Sequence, residues 1–203
     1  MKTPLTIAIA GNARVGKDTL YKIIKLFYDP GAVRFSLGDI LKNDMSSTIF
    51  YNFGIDPLNC SDEEKELIRP LMIYWAKIKR NQSKGHYFVD LLKDKLDRDI
   101  SSTRVITDLR FDEYPYDELP YFQSINAKTI YLDKYIYLDK TSRSGIVRQE
   151  KEYVKPCGEE EEKNSFKLKK KCKYYIEWPH LGNDISSIKE FAKPVLDEIF
   201  GRL

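Results

Sequence analysis

The residues with the clearest chemistry lie near the start of the chain, in "IAGNARVGKDTLYKI", residues 8–22. Gly11, Gly16 and Lys17 stand at the spacing G-x-x-x-x-G-K-[ST], except that Asp18 fills the last place and Thr19 follows it. A glycine loop that opens a helix offers converging backbone N–H groups and the positive end of the helix dipole, which is what a chain of phosphates requires. On this reading Gly11, Asn12, Ala13, Arg14, Val15, Gly16, Lys17, Asp18 and Thr19 form a nucleotide-binding loop. The amides from about Ala13 to Thr19 wrap the phosphates and Lys17 reaches the terminal ones. Asp18 can replace the usual hydroxyl residue at Mg²⁺, a hard ion that favours oxygen ligands, and Thr19 can donate to an inner phosphate. A second group, in "TRVITDLRFDE", 103–113, puts Asp108 and Arg110 at the carboxyl end of a strand. There Asp108 would hold Mg²⁺ through water and Arg110 would grip a second phosphate bidentately. The plain alternative is that the two form an ion pair or cap a helix.

These groups need a scaffold, and the apolar pattern supplies one. "PLTIAIA", 4–10, is a short buried strand, and Leu20, Ile23, Ile24 and Phe27 make one face of a helix running from about Lys17 to Tyr28. "VRFSL", 33–37, is a second strand, followed by a helix near 38–50. Ser61 and Glu64 form a capping box, and Pro70 divides "EEKELIR" from "PLMIYWAKIKR". A further helix is expected over His86 to Leu96, a strand within 103–113, and another at "KTIYLD", 128–133. "YLDK" recurs at 131–134 and 137–140, which predicts a hairpin or a small duplication. "KYYIEW", 173–178, resembles a last strand, and "DISSIKEFAKPVLDEIF" a C-terminal helix interrupted at Pro194. Strands alternating with helices predict an α/β fold with a mostly parallel sheet wrapped by helices. Ligands in such folds sit beyond the carboxyl ends of the strands, where both reactive groups would lie.

At 203 residues the chain is expected to form one domain. An apolar fraction of 42% with 14 Tyr and 10 Phe suits a globular protein, and no run of about 18 apolar residues offers a membrane span. The N-terminus carries no cleavable signal pattern, and Cys60, Cys157 and Cys172 show no metal-type or framework spacing. A cytoplasmic protein is expected, the host cytoplasm if the source is viral. A net charge of +3, from 34 Lys plus Arg against 31 Asp plus Glu, is too balanced to announce a nucleic-acid binder, so no stable nucleic-acid complex is expected. The four glutamates at 159–162 and the lysines in "KNSFKLKKKCK" read as solvated, mobile segments, with a phosphate-facing lid or a partner-binding tail as the other readings.

"GNARVGKDT" resembles the loop of the deoxynucleoside monophosphate kinases of tailed phages. The likeness continues in "FSLGDILKNDM", which holds Lys42, and in "RPLMIYWAKIKRNQSKGHYFVDLL", which begins at Arg69. It continues again in "VITDLRFDEY" and in "GNDISSIKEF". The resemblance implies a P-loop NTPase three-layer α/β/α sandwich of the nucleoside monophosphate kinase type, one domain over 1–203 with a lid or charged insertion at about 141–173. It implies transfer of the γ-phosphoryl of ATP, with Mg²⁺, to a small-molecule deoxynucleotide. Lys17, Arg110 and Asp108 would be catalytic, with Arg143 and Arg148 as lid cations. Lys42, Arg69 and Arg110 would hold the acceptor, and Trp75, Tyr87 or Phe88 would stack on its base. His86 and His180 have no partners arranged as a metal site, and a homodimer is left open. Two other readings remain: a kinase of phosphomevalonate or dephospho-coenzyme A, and a non-catalytic nucleotide-binding protein whose lysine run contacts nucleic acid.

Overall fold

Strand β1 (Leu5–Ala10) is buried from Thr6 to Ala10, as a strand covered on both faces must be. The computed structural model, which describes residues 3–141, 147–182 and 184–202, explains that pattern by its neighbours. Parallel pairings join β2 (Val33–Phe35) to β3 (Thr103–Leu109), β3 to β1, and β1 to β4 (Lys128–Thr141). The first half of β4 also pairs in parallel with β6 (Tyr174–Pro179), and its second half pairs antiparallel with β5 (Val147–Tyr153). The expected α/β class with a mostly parallel sheet holds.

Alternation along the strands divides the core between two helix layers. Ile7, Ile9, Ile130 and Leu132 face α1 (Lys17–Phe27) and α7 (Ile185–Phe200), where Leu20, Ile23, Ile24 and Ala192 meet them. Ala8, Ala10, Ile106 and Tyr131 face the other layer. That layer holds α2 (Leu37–Phe53), α4 (His86–Arg98), α5 (Glu118–Ser124) and α6 (Glu159–Lys171). A satellite cluster of Met45, Ile49, Ile68 and Met72 joins α2 to α3 (Asp62–Ser83).

Several local expectations change. Pro70 and Pro194 interrupt nothing: α3 and α7 run through them, because one lost backbone hydrogen bond is outweighed by an apolar face that continues on both sides. Phe27 leaves the apolar face of α1 and is 39% exposed, with the Lys189 ammonium over its ring. The "YLDK" copies are two stretches of one long strand, β4, whose hairpin partner is β5. The glutamate and lysine blocks form α6, with acidic residues at its N-terminal end and Lys169, Lys170 and Lys171 in its last turn, the arrangement that complements the helix dipole. Lys169 to Asp133 and Lys171 to Asp112, both 2.6 Å, anchor that helix. Among the described residues no helix is long and apolar enough to cross a membrane.

β1 ends at Gly11, whose φ of 139° lies in the region L side chains avoid, and a Cβ built there would stand 2.3 Å from the backbone oxygen of Leu132. Backbone of a central strand cannot yield cheaply. Gly11→Ala is therefore expected to lower the unfolding free energy by about 2 kcal/mol or more, read by urea denaturation.

Candidate active site

The loop between β1 and α1 is held from three sides. Trp178 on β6 donates from Nε1 to the Val15 carbonyl at 3.1 Å, and Gly16 (φ 102°) lies against the Trp178 ring with no room for a side chain. Asn12, 7% exposed, donates to the Val154 carbonyl at 2.9 Å and accepts from the Ser165 hydroxyl on α6. Lys17 Nζ donates back to the carbonyls of Gly11 and Asn12 at 2.7 and 2.8 Å. Burial, helped by the nearby Arg110 charge, pushes Lys17 down to about 8, against the opposing pull of Asp108, Glu161 and Asp18. The Ala13 amide, one of the donors expected to face phosphate, donates to Glu161 Oε1 at 2.8 Å, and the Cys157 amide donates to Glu161 Oε2. A carboxylate from α6 thus occupies an anion position of the loop.

Beside the loop opens a cleft of about 480 Å³, within the range of small-ligand sites. Its lining includes the cations Lys17, Arg69, Lys77, Arg80 and Arg110, the carboxyl residues Glu118, Glu159 and Glu161, and the apolar Leu41, Phe88, Leu109, Phe111 and Leu168. Helical spacing accounts for much of this lining, since Arg69, Ile73, Ala76, Lys77 and Arg80 fall on one side of α3. Among the described residues Lys77 and Arg110 form no salt bridge. Arg80 is 5% exposed, stacks its guanidinium 3.4 Å from the Phe111 ring centroid, and pairs with Asp117 at 2.8 Å and Glu113 at 3.3 Å. Glu118 accepts from the Arg110 and Phe111 amides at 2.6 and 3.2 Å and so fixes the turn that presents Arg110. Its burial, reinforced by the charges of Asp108 and Asp117 against the pull of the Arg110 amide bond, pushes it up to about 8.

The residues expected from sequence separate into three groups. Lys17, Arg69 and Arg110 converge on the cleft, although Arg69 also holds Glu66 through two hydrogen bonds of 2.9 and 2.6 Å. Arg14 is exposed in the loop with a φ of 66°. Others are engaged elsewhere. Asp108 takes the helix-cap reading: Ser36 Oγ at 2.8 Å and the amides of Leu37 at 2.8 Å and Gly38 at 2.7 Å all donate to it, so it holds the start of α2 against β3. Asp18 pairs with Arg34 at 2.7 Å, and Lys42 approaches Asp39 at 3.9 Å rather than the cleft. Trp75 and Tyr87 donate to the two oxygens of Asp44, each at 2.7 Å, and neither lines the cleft; Phe88 does. Arg148 is exposed on β5, in register with Lys140, and is likewise not among the residues lining the cleft. Arg143 lies outside the described residues.

Sequence reasoning missed Lys77, Arg80, Glu118, Glu161 and Asn164, all of which line the cleft. The two cations were legible as an eight- and eleven-residue continuation of the face that begins at Arg69. The others were hidden, because nothing local ties α5 or α6 to the loop.

No protein-family model matches the chain, and no curated protein matches it in sequence. Among solved structures, TT1252 from Thermus thermophilus is similar over 97% of this chain and 98% of that chain, at 16% identity and a TM-score of 0.44.

Two outcomes follow from the geometry. Glu161→Ala frees the Ala13 amide and is expected to tighten binding of inorganic pyrophosphate, as a probe anion, roughly tenfold, the equivalent of one charge-assisted hydrogen bond, as read by titration calorimetry. Glu118 has a folded pKa of about 8 against 4.5 for the free group, so the folded state binds more protons in that window. Its contribution is complete below pH 4.5 and is lost as pH rises toward 8. Glu118→Gln should flatten the fall of the denaturation midpoint between pH 5 and 8, a window separate from that of Lys17, whose lowered pKa acts above pH 8.

Proposed function

We propose that the chain is a deoxynucleoside monophosphate kinase of the P-loop type, moving the γ-phosphoryl of ATP to the 5′-phosphate of a deoxynucleotide. The observation that supports this reading is the cleft next to Lys17, whose lining combines cations with the apolar side chains of Leu41, Phe88, Phe111 and Leu168. An acceptor matched to it is an anion at one end and a flat apolar group at the other, which describes a nucleoside monophosphate better than phosphomevalonate.

The loop suits ATP because its Ala13 amide already donates to a carboxylate and Lys17 stands within the same turn. Mg²⁺ bound with the nucleotide would neutralise phosphate charge; Thr19 and Asp18 are the loop side chains able to hold it, Asp18 by exchanging Arg34 for the ion. Lys17 leaves the Gly11 and Asn12 carbonyls for the terminal phosphates, whose charge restores its full protonation. Arg110, held in place by Glu118, grips the acceptor phosphate and aligns its oxygen for attack. No general base is needed, since the attacking group is itself an anion, and catalysis is positioning and charge neutralisation. Asp108 serves this chemistry by fixing α2, whose Leu37, Gly38 and Leu41 form part of the cleft; any direct metal role would use its remaining lone pairs.

The test is ADP formation from ATP and Mg²⁺ with the four deoxynucleoside monophosphates, their ribose counterparts, phosphomevalonate and dephospho-coenzyme A. Turnover with at least one deoxynucleotide is expected, and Lys17→Met and Arg110→Ala should each lower kcat by about 10²-fold or more while the denaturation midpoint holds. Tight ATP binding with no turnover of any acceptor would overturn the reading in favour of a nucleotide-binding protein.

A further inference from the structure

Asn164 on α6 is 3% exposed, and neither its amide nitrogen nor its amide oxygen has a hydrogen-bond partner. That arrangement is costly, since a buried polar group left unpaired has given up its hydrogen bonds to water without replacement. A helical asparagine has an easy remedy, and the same chain uses it elsewhere: Asn43 and Asn52 in α2 each donate to the carbonyl four residues earlier, at 2.8 Å. Asn164 does not. It lines the cleft instead, on the helix face shared with Glu161, Ser165 and Leu168. Through Glu161 and Ser165 that face touches the Ala13 amide and Asn12.

We infer that Asn164 reads the base of the acceptor, offering one amide donor and one amide acceptor to the hydrogen-bonding edge of a nucleobase. Each of the four bases presents a neighbouring donor and acceptor on its Watson–Crick edge, and a carboxamide is the side chain that meets such a pair with two parallel hydrogen bonds. Phe88 and Phe111 line the same cleft as Asn164 and offer apolar ring surface to a flat base. The Asn164 amide atoms are out of solvent and unpaired in this state, so a ligand that pairs them would supply hydrogen bonds the protein alone does not make. Presenting them to the cleft requires α6 to shift, a shift that loss of the Glu161 bond to the Ala13 amide on phosphate binding would permit. The inference rests on the kinase reading above and specifies its acceptor: a nucleotide held by its base as well as by its phosphate.

Titration calorimetry of full-length wild type, Asn164→Leu and Asn164→Asp tests it, with dAMP, dCMP, dGMP, dTMP, base-free 2-deoxyribose 5-phosphate and ATP as ligands. Leucine is near in volume and lacks both polar atoms; aspartate keeps the shape and loses the amide donor, so it decides the matter if the leucine variant fails to fold. The expected result is at least tenfold weaker binding of the preferred deoxynucleotide in each folded variant, the loss of one or two hydrogen bonds, with ATP and the base-free sugar phosphate unchanged. Equal binding of the deoxynucleotide by wild type and variants would overturn the inference and leave the kinase reading standing, Asn164 then being satisfied by a buried water. A parallel loss for the base-free sugar phosphate would overturn it too, as the mark of a structural residue. Wild type that binds ATP and no deoxynucleotide would overturn the kinase reading and the inference together.

Discussion

A backbone contact governs the site: at Gly11 the chain passes so close to the Leu132 carbonyl that a Cβ would sit 2.3 Å from it. β1 and β4 are still paired at Ala10 and Tyr131, one residue before the turn, so the loop departs directly from the sheet with no slack. The rest of the loop is then bent back over the strand ends, and its carbonyls at Gly11 and Asn12 converge on Lys17. Trp178 closes the far side through Val15. A loop so confined keeps its amides aimed in one direction without ligand-induced folding, which is preorganisation of the kind that makes anion binding strong.

Charge is arranged around that loop on the same economy. Five cations line one cleft, and a cavity so lined would repel its own walls if every one were free. Arg80 is therefore neutralised by Asp117 and Glu113, and Arg69 by Glu66, while Lys77, Arg110 and Lys17 keep their capacity for an anion. Glu118 is the counter-case: a carboxyl buried among apolar neighbours and other acids stays largely protonated, so it orders the Arg110 turn without cancelling the charge of Arg110.

Much of this was readable before the structure. The strand, loop and first helix were legible because each has a local signature: apolar run, glycine spacing, helical periodicity. Arg110 was found from residue type and place at a strand end and Arg69 from the resemblance, and both line the cleft. Asp108 could not be resolved from sequence because a carboxylate at a strand end looks the same whether it awaits a metal or a helix; its partners here are Ser36 and Gly38, 72 and 70 residues away. Trp75 and Tyr87 were open for a similar reason, since their partner is Asp44 on another helix. The charged blocks misled by composition. Their order along the chain, acidic then basic, is the cue for a helix end to end, and composition alone discards order.

That misread helix is also the element that joins the two halves of the site. Glu161 bonds the loop, Ser165 bonds Asn12, and Asn164 and Leu168 face the cleft, all within two turns of α6. A helix moves as a unit on this scale, held at its far end by Lys169 and Lys171. If an anion that takes the Ala13 amide from Glu161 displaces α6 with it, the lining supplied by Asn164 and Leu168 shifts too. Whatever free energy that shift costs is shared: if filling the loop eases filling of the cleft, filling the cleft eases filling of the loop by the same factor. For a phosphoryl transfer between two bound anions this coupling has a direct use. It favours the state in which both are present, and it makes the helix that excludes water the same one that responds to each of them.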